Sequence, residues 1–183
     1  MCIRDSIGLG QELFYSRRPN IKIRGQYEFK YHVDFDHLDI QEDTGAICIS
    51  RPTNPTGNVV TDEEILRLRE IAAGRNIPLI IDGAYGAPFP NIIFTEVTPI
   101  WDPGVIVCLS LSKLGMPGVR TGIVVADDAV IRAVTSANAI LSLSPGSFGP
   151  VLVTEAMRSR EILRISTDLI RPHYRHHLDQ TVT

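Results

Sequence analysis

Three short apolar runs, each followed by polar residues, most constrain the fold of this chain. The runs cover residues 45–50 (GAICIS), 77–82 (IPLIID) and 105–109 (VIVCL). Their length and their content of branched aliphatic residues predict buried strands. Between the first two runs, Thr61 and Glu64 have the spacing of a helix capping box. The order strand, helix, strand predicts two parallel strands of one sheet, joined by a right-handed crossover.

The rest of the chain continues this alternation of strands and helices. A strand over residues 122–126 follows the third run closely and is predicted to pair antiparallel or to lie at a sheet edge. An edge-like strand is predicted over residues 26–33, and helices are predicted over residues 127–139, 148–158 and 159–178. The predicted fold class is therefore α/β, with a mostly parallel sheet flanked by helices.

Polar side chains follow each apolar run at the point where the strand ends. Asn54 lies in the loop RPTNPTG after the first run. Asp82 ends the second run, with Tyr85 three residues later, and Lys113 follows the third. In open α/β sheets, ligands bind outside the carboxyl ends of the strands. The sequence therefore predicts that these side chains share one ligand site.

The loop after the third run, SLSKLGMPGVRTG, indicates which ligand this site binds. The hydroxyls of Ser110 and Ser112 and the guanidinium of Arg120 suit a phosphate group. The amine of Lys113 can form a Schiff base with an aldehyde. Pyridoxal phosphate carries both a phosphate and an aldehyde. Its ring nitrogen needs a carboxylate partner, for which Asp82 is the candidate. Taken singly, these residues have ordinary explanations, such as a solvated lysine or a helix-capping aspartate.

The ordered motifs NPTG, DGAY, SLSK and GVRTG resemble those of the class I/II (fold-type I) pyridoxal-phosphate-dependent aminotransferases. The resemblance extends over about residues 7–178 and implies the large cofactor-binding domain of such an enzyme, with pyridoxal 5'-phosphate as its cofactor. It implies three catalytic residues, which are Lys113, Asp82 and Tyr85. The cofactor-binding residues that it implies are Asn54, Asp82, Tyr85, Ser110, Ser112, Lys113 and Arg120.

Each of these residues has a definite role in the resemblance. Lys113 bonds the cofactor aldehyde and later acts as the general base that moves the substrate α-proton. Asp82 keeps the ring nitrogen protonated, whereas Asn54 and Tyr85 hold the ring oxygen. The short loop between Lys113 and Arg120 narrows the resemblance to members that exchange an amino group between L-valine and pyruvate. Such an enzyme gives 3-methyl-2-oxobutanoate and L-alanine.

Other functions stay open at this point. A C–S lyase or a decarboxylase with the same cofactor shares the core motifs. A serine acyl-enzyme is suggested by SLSK, which matches S-x-x-K, but the sequence contains neither S-D-N nor K-T-G. An inactive fragment is the remaining alternative, because the resemblance places the substrate-carboxylate arginine and further phosphate contacts outside this chain.

The first six residues, MCIRDS, are what a transposase adapter from a sequencing library would encode. We therefore expect residues 1–6 to be a non-native scar, with a genuine start as the alternative. Residues 7–183 are expected to be a partial large domain that lacks its native N- and C-terminal parts.

Composition is that of a soluble globular protein, with 44% hydrophobic residues and a formal net charge of −3. This charge favours neither nucleic acid nor an acidic membrane as a partner. No apolar run approaches the ~20 residues that span a bilayer. Cys48 and Cys108 are predicted to be core residues of their strands, and no metal site is predicted. The expected partners are small-molecule substrates, the expected compartment is the cytoplasm, and the resemblance implies a homodimer.

Overall fold

The structure, a computed structural model, describes residues 2–4, 12–14, 21–24, 28–38, 40–54 and 56–182. Two antiparallel pairs precede the main sheet: β1 (Cys2–Arg4) with β2 (Glu12–Phe14), and β3 (Ile21–Arg24) with β4 (Glu28–Tyr31). Residues 1, 5 and 6 of the expected scar and residues 26–27 of the predicted edge strand lie outside the described residues.

The main sheet has four strands in chain order. They are β5 (Ile47–Ser50), β6 (Leu79–Asp82), β7 (Val105–Ser110) and β8 (Gly122–Val125). The first three strands are parallel to one another, and β8 pairs antiparallel with β7 at the end of this strand order. The predicted fold class is confirmed, and so is the antiparallel pairing of the last strand.

Helix α1 (Asp62–Gly74) connects β5 to β6 and covers one face of the sheet. The capping box that begins it is present, because Glu64 N donates to Thr61 Oγ1 at 3.2 Å and Thr61 N donates to Glu64 Oε2 at 2.8 Å. Ile65 and Leu68 are fully buried against the β5–β7 strands. Burying one such side chain contributes about 1.5–3 kcal/mol. The helix is thus fixed by both its cap and its apolar stripe.

Four further helices follow β8 in the described residues. They are α2 (Asp128–Ser142), α3 (Phe148–Arg158), α4 (Glu161–Arg164) and α5 (Arg171–Val182). A π-helical segment, Ile165–Ile170, joins α4 to α5 where the sequence predicts one uninterrupted helix. Among all the residues that the structure describes, no helix is both long and apolar enough to cross a membrane.

A second core cluster joins α3, α4 and the π-helical segment to the end of β7. Its buried members are Phe89, Leu109, Leu111, Leu114, Val153 and Ile162. Leu111 and Leu114 flank Lys113 in sequence, so this cluster fixes the backbone that carries the lysine.

The prediction that Cys48 and Cys108 are core residues is wrong. Both thiols are half-buried. Successive side chains of a strand point to opposite faces, and the two core clusters lie on the face that carries Ile49, Ile81 and Leu109. Cys48 and Cys108 alternate with these buried positions and therefore project to the opposite face.

Candidate active site

Asp82 ends β6 at the edge of the sheet where the parallel strands terminate. Its Oδ1 accepts a hydrogen bond from Ala84 N at 3.0 Å, and its Oδ2 accepts one from Ser50 Oγ at 3.5 Å. The carboxylate is exposed. An exposed carboxylate that is held by its own turn is free to receive a ligand cation.

Cys108 stands opposite Asp82 in the pairing of β6 with β7. Burial raises the pKa of the Cys108 thiol, and the negative charge of Asp82 raises it further. The thiol is therefore protonated near neutral pH. Sequence reasoning did not place this residue beside Asp82, because strand register is not visible in a single apolar run.

Lys113 and Tyr85 come together from the loops that follow β7 and β6. Lys113 lies on a short 3₁₀ helix, Ser112–Leu114, which ends at Gly115 with a φ of 90°. The Lys113 Nζ lies 5.0 Å from the centre of the Tyr85 ring. A hydrogen bond with the Tyr85 side chain raises the pKa of Lys113 above its ordinary value. The structure thus places the Lys113 amine beside the Tyr85 phenol, a contact that the sequence did not predict.

Ser110 and Ser112 form a tight turn at the end of β7. Ser112 N donates to Ser110 Oγ at 3.1 Å. Leu111 N donates to Thr121 O at 3.2 Å, which brings the loop's return strand to the same edge of the sheet. The backbone N–H and hydroxyl groups of this turn therefore lie next to the lysine helix.

Arg120 stands just before β8 in a left-handed backbone conformation, with φ 46° and ψ 46°. Non-glycine residues adopt this region uncommonly. Its exposed guanidinium donates from Nη1 to Pro117 O at 3.5 Å, within its own loop. The structure therefore brings Arg120 to the sheet edge but turns its side chain toward Pro117.

Asn54 is exposed in the turn after β5, and within the described ranges no hydrogen bond joins it to Asp82. Its loop is closed by Thr53 N donating to Asn58 O at 2.9 Å and by Gly57 N donating to Thr53 O at 2.7 Å. The buried Asn58 side chain binds the backbone of Tyr31, accepting from N at 3.2 Å and donating to O at 3.1 Å. Sequence reasoning missed this link, which anchors the Asn54 loop to β4.

Arg51 is a second residue that sequence reasoning missed. It is buried, and its guanidinium donates to Val60 O at 2.7 Å, to Thr98 O at 3.2 Å and to the carboxylate of Asp62. Burial by itself raises the pKa of Asp62, but the hydrogen bonds from Arg51 and Thr98 outweigh it, so the pKa lies below the ordinary value. The only feature of the sequence that could have indicated a buried arginine here is its position between a buried strand and a proline.

The loop that carries Tyr85 folds closely over Arg51. A Cβ on Gly86 would lie 2.6 Å from Arg51 O, so this position requires glycine. Ile92 N donates to Tyr85 O at 3.0 Å, and Asn91 N donates to Gly86 O at 2.9 Å. The backbone of Tyr85 is therefore set by the far side of its own loop.

A comparison with protein families shows which family the chain belongs to. The family described as aminotransferase class I and II matches residues 16–180, which is most of the chain. The chain belongs to the class I and II aminotransferases. The resemblance seen in the motifs is thereby confirmed.

Individual relatives of the chain agree with the family match. It is 52% identical over 175 residues to the valine–pyruvate aminotransferase of Escherichia coli (strain K12), a match that covers 96% of this chain and 42% of the relative. The crystal structure of valine-pyruvate aminotransferase from Salmonella typhimurium LT2 is 53% identical, with a TM-score of 0.84 and coverage of 89% and 42%. A putative amino-acid aminotransferase from Psychrobacter arcticum 273-4 is 50% identical, with a TM-score of 0.80 and coverage of 84% and 36%. The chain thus spans less than half the length of these relatives.

Proposed function

We propose that the full-length protein is a pyridoxal-phosphate-dependent aminotransferase that exchanges an amino group between L-valine and pyruvate. The observation that carries this proposal is the position of Lys113 beside Tyr85, at the sheet edge where β6 ends in Asp82. The similarity to proteins named valine–pyruvate aminotransferases supports the choice of substrates.

The chemistry of the side chains at this edge fits pyridoxal 5'-phosphate. An amine is available for the aldehyde, an exposed carboxylate for the ring nitrogen, and hydroxyls with a guanidinium for the phosphate. The side chains that we assign to it are Asn54, Asp82, Tyr85, Ser110, Ser112, Lys113 and Arg120. When bound, this cofactor draws electrons away from the substrate carbon that carries the amino group.

The protein's own residues hold and move protons around that carbon. Asp82, fixed by Ala84 N and Ser50 Oγ, keeps a proton on the ring nitrogen. The free Lys113 amine would take the α-proton of the substrate as a general base. The Tyr85 hydroxyl would donate a hydrogen bond to the ring oxygen, and the Tyr85 side chain raises the pKa of Lys113.

The proposal is tested by covalent capture of the lysine. The full-length protein is incubated with pyridoxal phosphate, reduced with borohydride and digested for peptide mass analysis. An adduct on Lys113, and none in Lys113→Ala, is expected. Labelling scattered over surface lysines would refute the assignment of the site.

The substrate is tested separately, by the products that each candidate reaction gives. With L-valine and pyruvate, equal amounts of 3-methyl-2-oxobutanoate and L-alanine are expected from the wild-type protein and none from Lys113→Ala. Carbon dioxide from an amino acid alone, or a thiol from a sulfur-containing amino acid, would instead indicate the decarboxylase or the C–S lyase.

We also propose that the full-length enzyme is a homodimer. The support on this chain is a set of exposed apolar side chains on and after α2, which are Val134, Ile140, Leu141, Leu143 and Phe148. Contiguous exposed apolar surface marks an interaction site more often than chance exposure. Sedimentation of the full-length protein at a monomer mass would refute this part of the proposal.

A further inference from the structure

Ser166 is the most deeply buried polar side chain among the described residues, with 1% of its surface exposed. Its hydroxyl donates to Pro90 O at 2.8 Å, across 76 positions of the sequence. Pro90 lies in the loop that carries Tyr85, whereas Ser166 lies in the π-helical segment. This hydrogen bond therefore connects the C-terminal helices directly to one side of the candidate active site.

The π-helical segment decides which of its residues pack against the core cluster. In a continuous α-helix, Leu169 lies on the same face as Ser166, three residues earlier. Here Leu169 is 64% exposed, whereas Ile165 and Ile170 both pack against the core cluster. Hydrogen bonding from i to i+5 brings Ile170 onto the face of Ile165, five residues before it. Such turns occur frequently at functional sites.

The same segment also contacts the other side of the candidate active site. Ile165 and Ile170 pack against the cluster that contains Leu111 and Leu114. The segment touches the 3₁₀ helix Ser112–Leu114, on which Lys113 stands. One short helical segment thus contacts both the lysine helix and the tyrosine loop.

Helix α5 adds further contacts to the tyrosine loop. Arg171 Nη2 donates to Ile93 O at 3.3 Å. The guanidinium carbons of Arg171 and Arg175 lie 5.7 and 5.4 Å from the centre of the Phe94 ring, within the range of cation–π attraction. Because Ile92 N is bonded to Tyr85 O, a loop that is held at Pro90 and Ile93 also holds Tyr85.

We propose that Ser166 is a positioning residue, which sets the Tyr85 loop against the Lys113 helix through its hydrogen bond to Pro90. The inference rests on the proposed function, since Tyr85 and Lys113 are the side chains assigned there to the cofactor. Ser166 acts through those two residues and does not itself contact the cofactor.

The test measures how the Lys113 amine responds to pH in the full-length protein without cofactor. Lys113 faces Tyr85 from the loop and Tyr174 from α5, and the hydrogen bond with Tyr85 is the larger cause of its raised pKa. Trace acetylation over a series of pH values, followed by peptide mass analysis, gives the titration midpoint of Lys113. In Ser166→Ala this midpoint is expected to move down, toward that of an ordinary lysine. An unchanged midpoint in the folded variant overturns the proposal.

Two further variants separate positioning from general loosening. Ser166→Cys keeps a similar volume with a weaker donor, and its midpoint is expected between wild type and Ser166→Ala. Val153→Ala removes a buried side chain from the same core cluster but leaves both partners of the Ser166–Pro90 hydrogen bond in place, and no shift is expected. An equal shift in Val153→Ala overturns the proposal. Should Ser166→Ala fail to fold, an unshifted midpoint in Ser166→Cys overturns it instead.

A failure of this inference can be distinguished from a failure of the proposed function. Absence of a pyridoxyl adduct on wild-type Lys113 refutes the cofactor assignment and leaves the cofactor-free titration unaffected. An adduct on Lys113 together with an unshifted midpoint in Ser166→Ala refutes the positioning role alone.

Discussion

The Lys113 Nζ lies 5.0 Å from the centre of the Tyr85 ring, although the two residues stand on different loops after neighbouring strands. The parallel pairing of β6 with β7 brings the loops to one edge of the sheet. A hydrogen bond with the Tyr85 side chain raises the pKa of Lys113, so this contact lowers the share of the amine that is neutral at a given pH. The neutral amine is the form that attacks an aldehyde.

Tyr85→Phe is expected to lower the pKa of Lys113, because it keeps the ring and removes the hydroxyl. At a pH below the pKa of wild-type Lys113, a larger share of the lysine is then neutral in Tyr85→Phe than in the wild type. The variant lysine is therefore expected to react faster with an aldehyde. Trace acetylation and pyridoxal phosphate adduct formation at Lys113 over a pH series measure this. A pH profile identical to that of the wild type would show that the Tyr85 hydroxyl does not raise the pKa of Lys113.

Arg120→Gly is expected to separate cofactor binding from stability. Glycine adopts the left-handed conformation of this position without the strain of roughly 1–2 kcal/mol that other residues carry. The free energy of unfolding is therefore expected to stay the same or to rise by about 1 kcal/mol. Loss of the guanidinium is expected to weaken pyridoxal phosphate binding by about tenfold or more. Urea unfolding and a cofactor titration measure the two effects.

Arg120→Lys is the matched control for that experiment. It keeps the charge and the strained backbone but loses the planar fork of donors. Binding intermediate between wild type and Arg120→Gly is expected, without a gain in stability. If Arg120→Gly bound the cofactor with unaltered affinity, the assignment of Arg120 to the phosphate group would be refuted.

Gly149→Ala is expected to loosen the attachment of α3 to the lysine loop. A Cβ on Gly149 would lie 1.8 Å from Thr121 Oγ1, and Thr121 O is the acceptor for Leu111 N. Such overpacking costs about 1–3 kcal/mol, which the higher helix propensity of alanine offsets in part. Thermal and urea unfolding measure the loss. Gly146→Ala, where a Cβ meets no atom within 4 Å, is the control, and an equal loss there would contradict the steric explanation.

Glu64→Gln is expected to change how stability depends on pH. Burial alone raises the pKa of Glu64, but hydrogen bonds from Thr61 and Val33 and the nearby His32 outweigh it, so the pKa lies below the ordinary value. A carboxylate with a lowered pKa stabilises the fold above its unfolded-state pKa, and this contribution is lost as pH falls through the folded-state pKa. The free energy of unfolding of the wild type is therefore expected to exceed that of Glu64→Gln by about 1–2 kcal/mol near neutral pH. This difference is expected to shrink as the pH falls into the acid range.

Urea unfolding at a series of pH values measures this difference. Glu63→Gln is the control, because Glu63 is exposed in the same helical turn and interacts mainly with the helix dipole. Glu63→Gln is expected to lose about 0.5 kcal/mol or less of the free energy of unfolding. A constant difference between wild type and Glu64→Gln across the acid range would contradict the assignment.

The main sheet could be predicted because its signals are local. Each of the strands β5, β6 and β7 is a short apolar run, and α1 begins with Thr61 and Glu64 at capping-box spacing. These signals depend on neighbours within four residues along the chain, which a reader of the sequence can see directly. The interruption of the last predicted helix at Ile165–Ile170 has no comparable signal, since it depends on how Ile170 packs on the lysine loop.

The sequence by itself determined the order of the elements from β5 to α3, the family, and the candidate residues Asn54, Asp82, Tyr85, Ser110, Ser112, Lys113 and Arg120. Only the tertiary structure decided which of them meet. It placed Tyr85 beside Lys113 and Cys108 beside Asp82, left Asp82 exposed, and turned Arg120 toward Pro117. It also revealed the buried supports Arg51 and Ser166, whose partners lie 47 and 76 positions away. Contacts over such separations depend on strand register and helix packing, which local sequence patterns do not encode.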